Sequence, residues 1–275
     1  MFHQKWMRCG PVGCLLLLLM LCPVAVGEVT ISAAISLKAA LEKAQPELVK
    51  AAGEKIELNF GASGTLAGQI RQGAPVDLFI SADRANVTKL VEAKQTRPDT
   101  VQVIAENELV LIVPAKPRDG VKITSFADLT RPEVLRIAVG EPKVVPAGVY
   151  ALQTLKALKL LEPLEKSGKL VTTENVAQVL AYVDRGEVDA GIAYRTDALA
   201  AKHVQIIAPA PAEMHQPVEY VSVIPKDAPH PELALKLQKA ILSEAVQKIF
   251  ADLGFKGFKA PTKPVASQPA ATQRE

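Results

Sequence analysis

Three short apolar runs near the start of the chain each lead to a serine and then hand over to a helix-type pattern. Residues 31–35 stop at Ser36, residues 56–60 lead into Gly61-Ala62-Ser63-Gly64-Thr65, and residues 76–80 stop at Ser81. Strands separated by helices cannot pair as hairpins. They need crossover connections, and so a parallel sheet with helices on its faces. In such a sheet ligands lie beyond the carboxyl ends of the strands, where Ser36, Ser63 and Ser81 all fall. Leu37, Ala40, Leu41, Ala44 and Leu48 share one helical face. Pro46 predicts a kink or break in that helix, and Gly53 suits its end. The next helix is predicted to carry Leu66, Gln69 and Ile70 on one side. Ser81 and Asp83 are expected to cap the one after it.

A second block repeats the pattern. Strands are predicted over residues 108–113, 135–139, 170–171, 188–193 and 204–207, the fourth ending at Tyr194. Helices are predicted near residues 125–129, along Val149, Leu152, Leu155 and Leu158, along Val176, Val179, Leu180 and Val183, and from Thr196. A last strand over residues 220–224 precedes a largely helical stretch, 230–250. The loop Glu141-Pro142-Lys143-Val144-Val145-Pro146-Ala147-Gly148 is a second strand-to-helix joint. A helix start exposes unpaired backbone N–H groups and partial positive charge, which makes it an anion site. Several such joints are expected to converge on one small oxyanion. The plainer use of Ser36 and Ser63 is as helix caps. Tyr194 at a strand end equally suits ordinary packing, and Pro146-Ala147-Gly148 suits a plain turn.

Composition narrows the function. The 275 residues are 49% hydrophobic, enough for a substantial core in one large domain or two modest ones. Lys5 and Arg8 precede an apolar stretch centred on Leu15 to Leu19, and Ala25-Val26-Gly27 supplies small residues for a cleavage site. That is a secretory signal peptide over residues 1–27, cleaved after Gly27. Leu21 before Cys22 is a poor fit to a lipoprotein signal, so a soluble exported product is expected. Cys9, Cys14 and Cys22, the three cysteines, all lie in this leader. The mature chain therefore has no disulfide, thiolate metal site or cysteine nucleophile. Removing the leader's two basic residues lowers the formal charge from +3 to +1. That balance argues against nucleic-acid binding. His203, His215 and His230 lack metal-type spacing. Asp77, Asp189 and Asp197 have no serine–histidine companions. Walker A and G-x-G-x-x-G motifs are absent. Residues 260–275, rich in Pro, Ala, Ser, Thr and Gln, are expected to be disordered.

Five stretches resemble one family. They are Ala33-Ala34-Ile35-Ser36-Leu37, Phe60-Gly61-Ala62-Ser63-Gly64-Thr65-Leu66, and Gly73 through Asp83 (GAPVDLFISAD). The others are Val139 through Tyr150 (VGEPKVVPAGVY) and Gly191-Ile192-Ala193-Tyr194-Arg195-Thr196-Asp197-Ala198. They are similar, in the same order, to motifs of the periplasmic molybdate-binding proteins that feed ABC transporters. Asn175 departs from the pattern, standing where a family member has an acidic residue. The resemblance implies an α/β, two-lobed periplasmic-binding-protein (type II) fold, each lobe a mainly parallel sheet flanked by helices. Lobe one would be residues 28–106 plus 219–259, and lobe two residues 107–218, with hinges near residues 105–107 and 217–219. It implies a binding protein, not an enzyme, that captures molybdate or tungstate in the interlobe cleft, without a cofactor or side-chain metal ligands. Ser36, Ser63, Ala147, Val176 and Tyr194 would hold the oxyanion: the serines by hydroxyl and backbone N–H, Tyr194 by hydroxyl, and Ala147 and Val176 by backbone N–H. The implied partners are a membrane permease and an ATPase, for a monomer in the periplasm. Sulfate or thiosulfate is the alternative ligand, and an exported hydrolase or transferase the alternative class.

Overall fold

The structure, a computed structural model, describes residues 28–257. The signal peptide, its cleavage point and the stretch 260–275 lie outside the described residues. In chain order the first elements are β1 (Val29–Ala34), α1 (Lys38–Ala52), β2 (Ile56–Gly61), α2 (Ser63–Arg71), β3 (Leu78–Ser81), α3 (Arg84–Glu92) and β4 (Gln102–Glu106). Then come β5 (Leu109–Pro114), β6 (Ile137–Gly140), α4 (Pro146–Ala157), α5 (Leu161–Lys166), β7 (Leu170–Thr173), α6 (Val176–Asp184), β8 (Ala190–Tyr194), α7 (Arg195–Ala200) and β9 (Val204–Pro209). The chain closes with β10 (Glu219–Val223), α8 (Pro231–Ile241), α9 (Glu244–Asp252) and β11 (Lys256–Gly257).

These strands make two sheets, ordered β11-β4-β10-β3-β1-β2 and β7-β6-β8-β5-β9. β1 lies parallel between β2 and β3, and β6 parallel between β7 and β8. The expected parallel character holds there but not throughout. β10 runs antiparallel to β3 and β4, and β5 antiparallel to β8 and β9. The reason is topological. The chain leaves one sheet after β4 and returns after β9, so β5 and β10 each enter their sheet at the edge where its parallel strands end. The pairs Leu109 with Tyr194 and Glu219 with Glu106 mark that edge.

The helices are held by the faces the periodicity picks out. Leu37, Ala40, Leu41, Ala44 and Leu48 are fully buried, and each buried leucine stabilises by roughly 1.5–3 kcal/mol. Gly53 ends α1 in the left-handed region at φ 75°, its N–H donating to Val49 O at 2.8 Å. Pro46 does not split α1, which runs unbroken through it; the burial of Ala44 and Leu48 on either side outweighs the missing N–H. The α4 face is rotated from the predicted one. Ala147, Tyr150, Ala151, Thr154 and Leu155 are buried, whereas Val149, Leu152 and Leu158 are only half-buried. Small residues let the helix sit close to the sheet, and this outweighs the larger side chains in setting its rotation. The stretch 230–250 is two helices, because Ser243 caps α9 by accepting from Val246 N. β4 and α5 are additions: their mixed polar and apolar residues show no clean period.

One close approach shapes the second joint. A Cβ on Gly148, in the first turn of α4, would lie 2.6 Å from the carbonyl carbon of Gly140 at the end of β6, and nearer still to its oxygen. Only glycine allows this helix start to sit against the strand end. Gly148→Ala is expected to destabilise the unliganded protein by about 1–3 kcal/mol, lowering its melting temperature by roughly 3–10 °C. An unchanged thermal transition would show that the joint can relax without loss.

Candidate functional site

The strand ends of both sheets face one small cavity. Its walls include Ser36, Ser63, Ala82, Ala147, Val176 and Tyr194. The structure thus brings together all five residues named from the sequence. Ser81 is not among the lining residues. Its hydroxyl meets Asp83 at 2.9 Å, and Asp83 caps α3 by accepting from Asn86 N at 3.0 Å.

Neither cavity serine is a helix cap. Ser36 sits in a single 3₁₀ turn, Ile35–Leu37, between β1 and α1. Ser63 is the first residue of α2, behind Ala62 at the cap position. Both side chains have other neighbours. The Ser63 hydroxyl oxygen accepts from Ala82 N at 3.0 Å, and Ser36 Oγ lies 2.9 Å from the Tyr220 hydroxyl. A hydroxyl has one hydrogen to give and lone pairs to receive. With its oxygen already used, Ser63 keeps its hydrogen for the cavity.

The other wall comes from α4, α6 and β8. Ala147 lies in the first turn of α4, behind Pro146, and Val176 begins α6. First-turn N–H groups have no partner within their helix, so both present backbone donors at a positive helix end. Asn175, the departure from the family pattern, caps α6 by accepting from Gln178 N at 3.1 Å. Tyr194 is 1% exposed, and its hydroxyl has no hydrogen-bond partner among the described residues. An unpartnered buried hydroxyl costs about 1–3 kcal/mol, and an acceptor in the cavity would remove that cost. Burial holds the Tyr194 and Tyr220 phenols well above their ordinary pKa, so both remain neutral donors. Among the described residues, no lysine, arginine or carboxylate lines the cavity.

The two walls meet at the cavity rim. Gly64 N–H, in the first turn of α2, donates to Val144 O at 2.9 Å, and the Tyr150 hydroxyl donates to Ala82 O at 3.3 Å. A larger cavity of about 460 Å³ shares Ile35 and Ser36 but is otherwise lined by α1, α7, the end of α9 and the turn after it. Its lining also includes helix starts, of α1 and α7, but among them stand the ionisable side chains of Lys38, Glu42 and Asp252, which the small cavity lacks among the described residues.

Asp77 and Asp189 lie at the far, N-terminal ends of β3 and β8. Asp77 accepts from Thr30 N at 2.9 Å and His230 N at 2.6 Å, and Asp189 from Leu135 N at 2.7 Å and Arg136 N at 3.1 Å. Both tie loops to the sheets, away from the cavity. His230 is therefore tied to Asp77, whereas His203 is exposed beside Asp184.

Asp197, in the first turn of α7, is different. One carboxylate oxygen is buried without a partner, and burial raises its pKa from 3.8 to about 8. Burial thus favours the protonated carboxyl and lowers the negative charge beside Tyr194. The folded chain holds this proton where the unfolded chain has lost it. Stability from this group is full below pH 3.8 and is lost as pH rises to about 8. Asp197→Asn is expected to raise the melting temperature, with a gain that grows between pH 4.5 and 8. A gain of equal size at both pH values would contradict the buried proton.

The model of the family described as bacterial extracellular solute-binding protein matches residues 29–256. The molybdate-binding protein ModA of Escherichia coli strain K12 is 39% identical over 198 residues, covering 70% of this chain and 76% of that protein. The molybdate-binding protein ModA of Haemophilus influenzae strain Rd is 34% identical over 233 residues, covering 84% of this chain and 91% of that one. Among solved structures, the periplasmic molybdate-binding protein of Azotobacter vinelandii superposes with a TM-score of 0.75 at 24% identity, covering 84% of this chain and all of that one. The likeness places the two sheets in the type II periplasmic-binding-protein fold. The chain belongs to the bacterial extracellular solute-binding protein family, alongside the ModA proteins.

Proposed function

We propose that this chain captures molybdate, and tungstate by the same geometry, and delivers it to the permease and ATPase of an ABC importer. The observation that carries this reading is the convergence of Ser36, Ser63, Ala147, Val176 and Tyr194 on one cavity without a charged side chain. The names of the E. coli and H. influenzae relatives support the same ligand. A fully ionised tetrahedral anion can only accept hydrogen bonds. Ser36, Ser63 and Tyr194 would give hydroxyl hydrogens, and the serines, Ala147 and Val176 would give backbone N–H groups. Such charge-assisted bonds are the strong ones, and a neutral cage releases its anion once the lobes part. Sulfate is smaller, so it would leave donors unfilled at about 1–3 kcal/mol each. The same reading makes the protein a periplasmic monomer, processed after Gly27, with lobes at residues 28–106 plus 219–259 and 107–218.

Calorimetric titration with molybdate, tungstate, sulfate and phosphate tests the ligand. Tight one-to-one binding of the first two alone is expected. Ser36→Ala and Ser63→Ala should each weaken molybdate by roughly ten- to a hundredfold, without any ester hydrolysis in wild type. Sulfate binding in place of molybdate would overturn the substrate, and turnover abolished by these changes would overturn the carrier reading.

Closure has its own test. A Cβ on Gly64 would lie 2.7 Å from Val144 Cα and 2.8 Å from its oxygen, across the rim. Gly64→Ala should block the last step of closure, leave thermal stability without ligand near wild type, and weaken molybdate at least tenfold. Small-angle scattering of wild type should show compaction on saturation with molybdate and the variant should show less. Equal affinity in both proteins would refute the closure role.

A further inference from the structure

Ser63 receives its hydrogen bond from a backbone N–H, which has only one way to point. Ser36 has no such partner. Its neighbour is the Tyr220 hydroxyl at 2.9 Å, and two facing hydroxyls can donate in either direction. If Ser36 gave its hydrogen to Tyr220, it would present only lone pairs to an anion.

The direction is decided three residues away from the cavity. Glu108 N–H donates to Asn107 Oδ1 at 2.8 Å, which fixes the orientation of the Asn107 amide. Its nitrogen then faces the other way and has two hydrogens to give. One goes to Thr196 Oγ1 at 2.8 Å, and the other to the Tyr220 hydroxyl oxygen at 3.2 Å. Tyr220 therefore receives at its oxygen and has one hydrogen left. Its ring is fully buried, between Tyr194 at 6.0 Å and Phe255 at 5.4 Å between centroids. The nearest acceptor for that hydrogen is Ser36 Oγ. Ser36 in turn receives, which leaves its own hydrogen for an acceptor in the cavity it lines.

We propose that Asn107 and Tyr220 are positioning residues that set the direction of the Ser36 hydroxyl, so that the link between the two sheets orients an anion donor. This rests on the oxyanion reading above and adds to it a source of specificity: Ser36 can serve only an acceptor. Asn107 sits where β4 passes to β5, and its N–H also donates to Val218 O at 3.0 Å, on the returning crossing. The hydrogen-bond chain thus begins where both crossings meet. It reaches Thr196 on the second sheet's side and Ser36 on the first.

A double-mutant cycle read by calorimetry tests this. Tyr220→Phe keeps the ring and removes the hydroxyl. It should weaken molybdate roughly tenfold or more in wild type and in Ser63→Ala. In Ser36→Ala it should cost less than about threefold, because the donor it orients is gone. Asn107→Asp provides a second, isosteric variant should Tyr220→Phe not fold. Its carboxylate has no hydrogen to give and takes the one from Tyr220, which reverses the chain. It should weaken molybdate in wild type by a larger factor than in Ser36→Ala. A loss of equal size in the presence and absence of the Ser36 hydroxyl, or no loss at all, overturns the proposal. The wild-type titration judges the molybdate reading separately. If another tetrahedral oxyanion binds instead, the same cycle run with that anion still decides the role of Tyr220. A wild type that binds no oxyanion overturns both.

Discussion

A hydrogen-bond donor serves an anion only if nothing in the protein has already taken its hydrogen. This constraint governs the cavity and much of the fold behind it. The N–H groups of Ser63, Ala147 and Val176, at the starts of α2, α4 and α6, have no partner within their helices because a helix cannot satisfy its own start. The Ser63 hydroxyl is free to donate because Ala82 N–H occupies its oxygen. Tyr194 is free because no group among the described residues reaches its hydroxyl. All of these donors are neutral. A lysine or arginine would bind an anion too, but taking it out of water costs several kcal/mol when its partner leaves. A cage of neutral donors avoids that cost in the open state.

Bringing the donors together is the work of the parallel strands. β1, β2 and β3 end on one edge, as do β6, β7 and β8, so the helices that follow them begin there. Two such edges must then face each other at close range. Glycine makes this possible at two places: Gly148 against the end of β6, and Gly64 against Val144 across the rim. The first lets a helix start reach the cavity. The second lets two backbones form a hydrogen bond where a side chain would hold them apart. The antiparallel strands β5 and β10 carry the chain between sheets at the same edge, which places the link beside the site it serves.

Much of this was legible in the sequence, and the limits are instructive. The apolar runs before Ser36, Ser63 and Tyr194 marked strand ends, and the face of α6 through Val176, Val179, Leu180 and Val183 is buried as its spacing predicts. Periodicity misplaced the buried face of α4, where Ala147, Ala151 and Thr154 pack closely and the larger apolar residues stay half-covered. Pro46 read as a break but sits within an unbroken α1, because burial on both sides of it outweighs one lost backbone bond. β4 has only a three-residue apolar run, Val103 to Ala105, with no alternation, yet it is paired on both sides by β10 and β11. Its signal lay in partners distant in sequence.

The sequence by itself determined most of the strand–helix order, the serines at strand ends, and the absence of charge at the five candidate positions. These are local properties, since a helix start is an anion site wherever it stands. Tertiary structure alone decided which serine receives from which donor. Ser36 and Tyr220 are 184 residues apart, and Asn107 is 113 from Tyr220. The direction of a hydrogen bond belongs to a pair of groups and to what each of them already holds. It becomes defined only when folding brings the pair together.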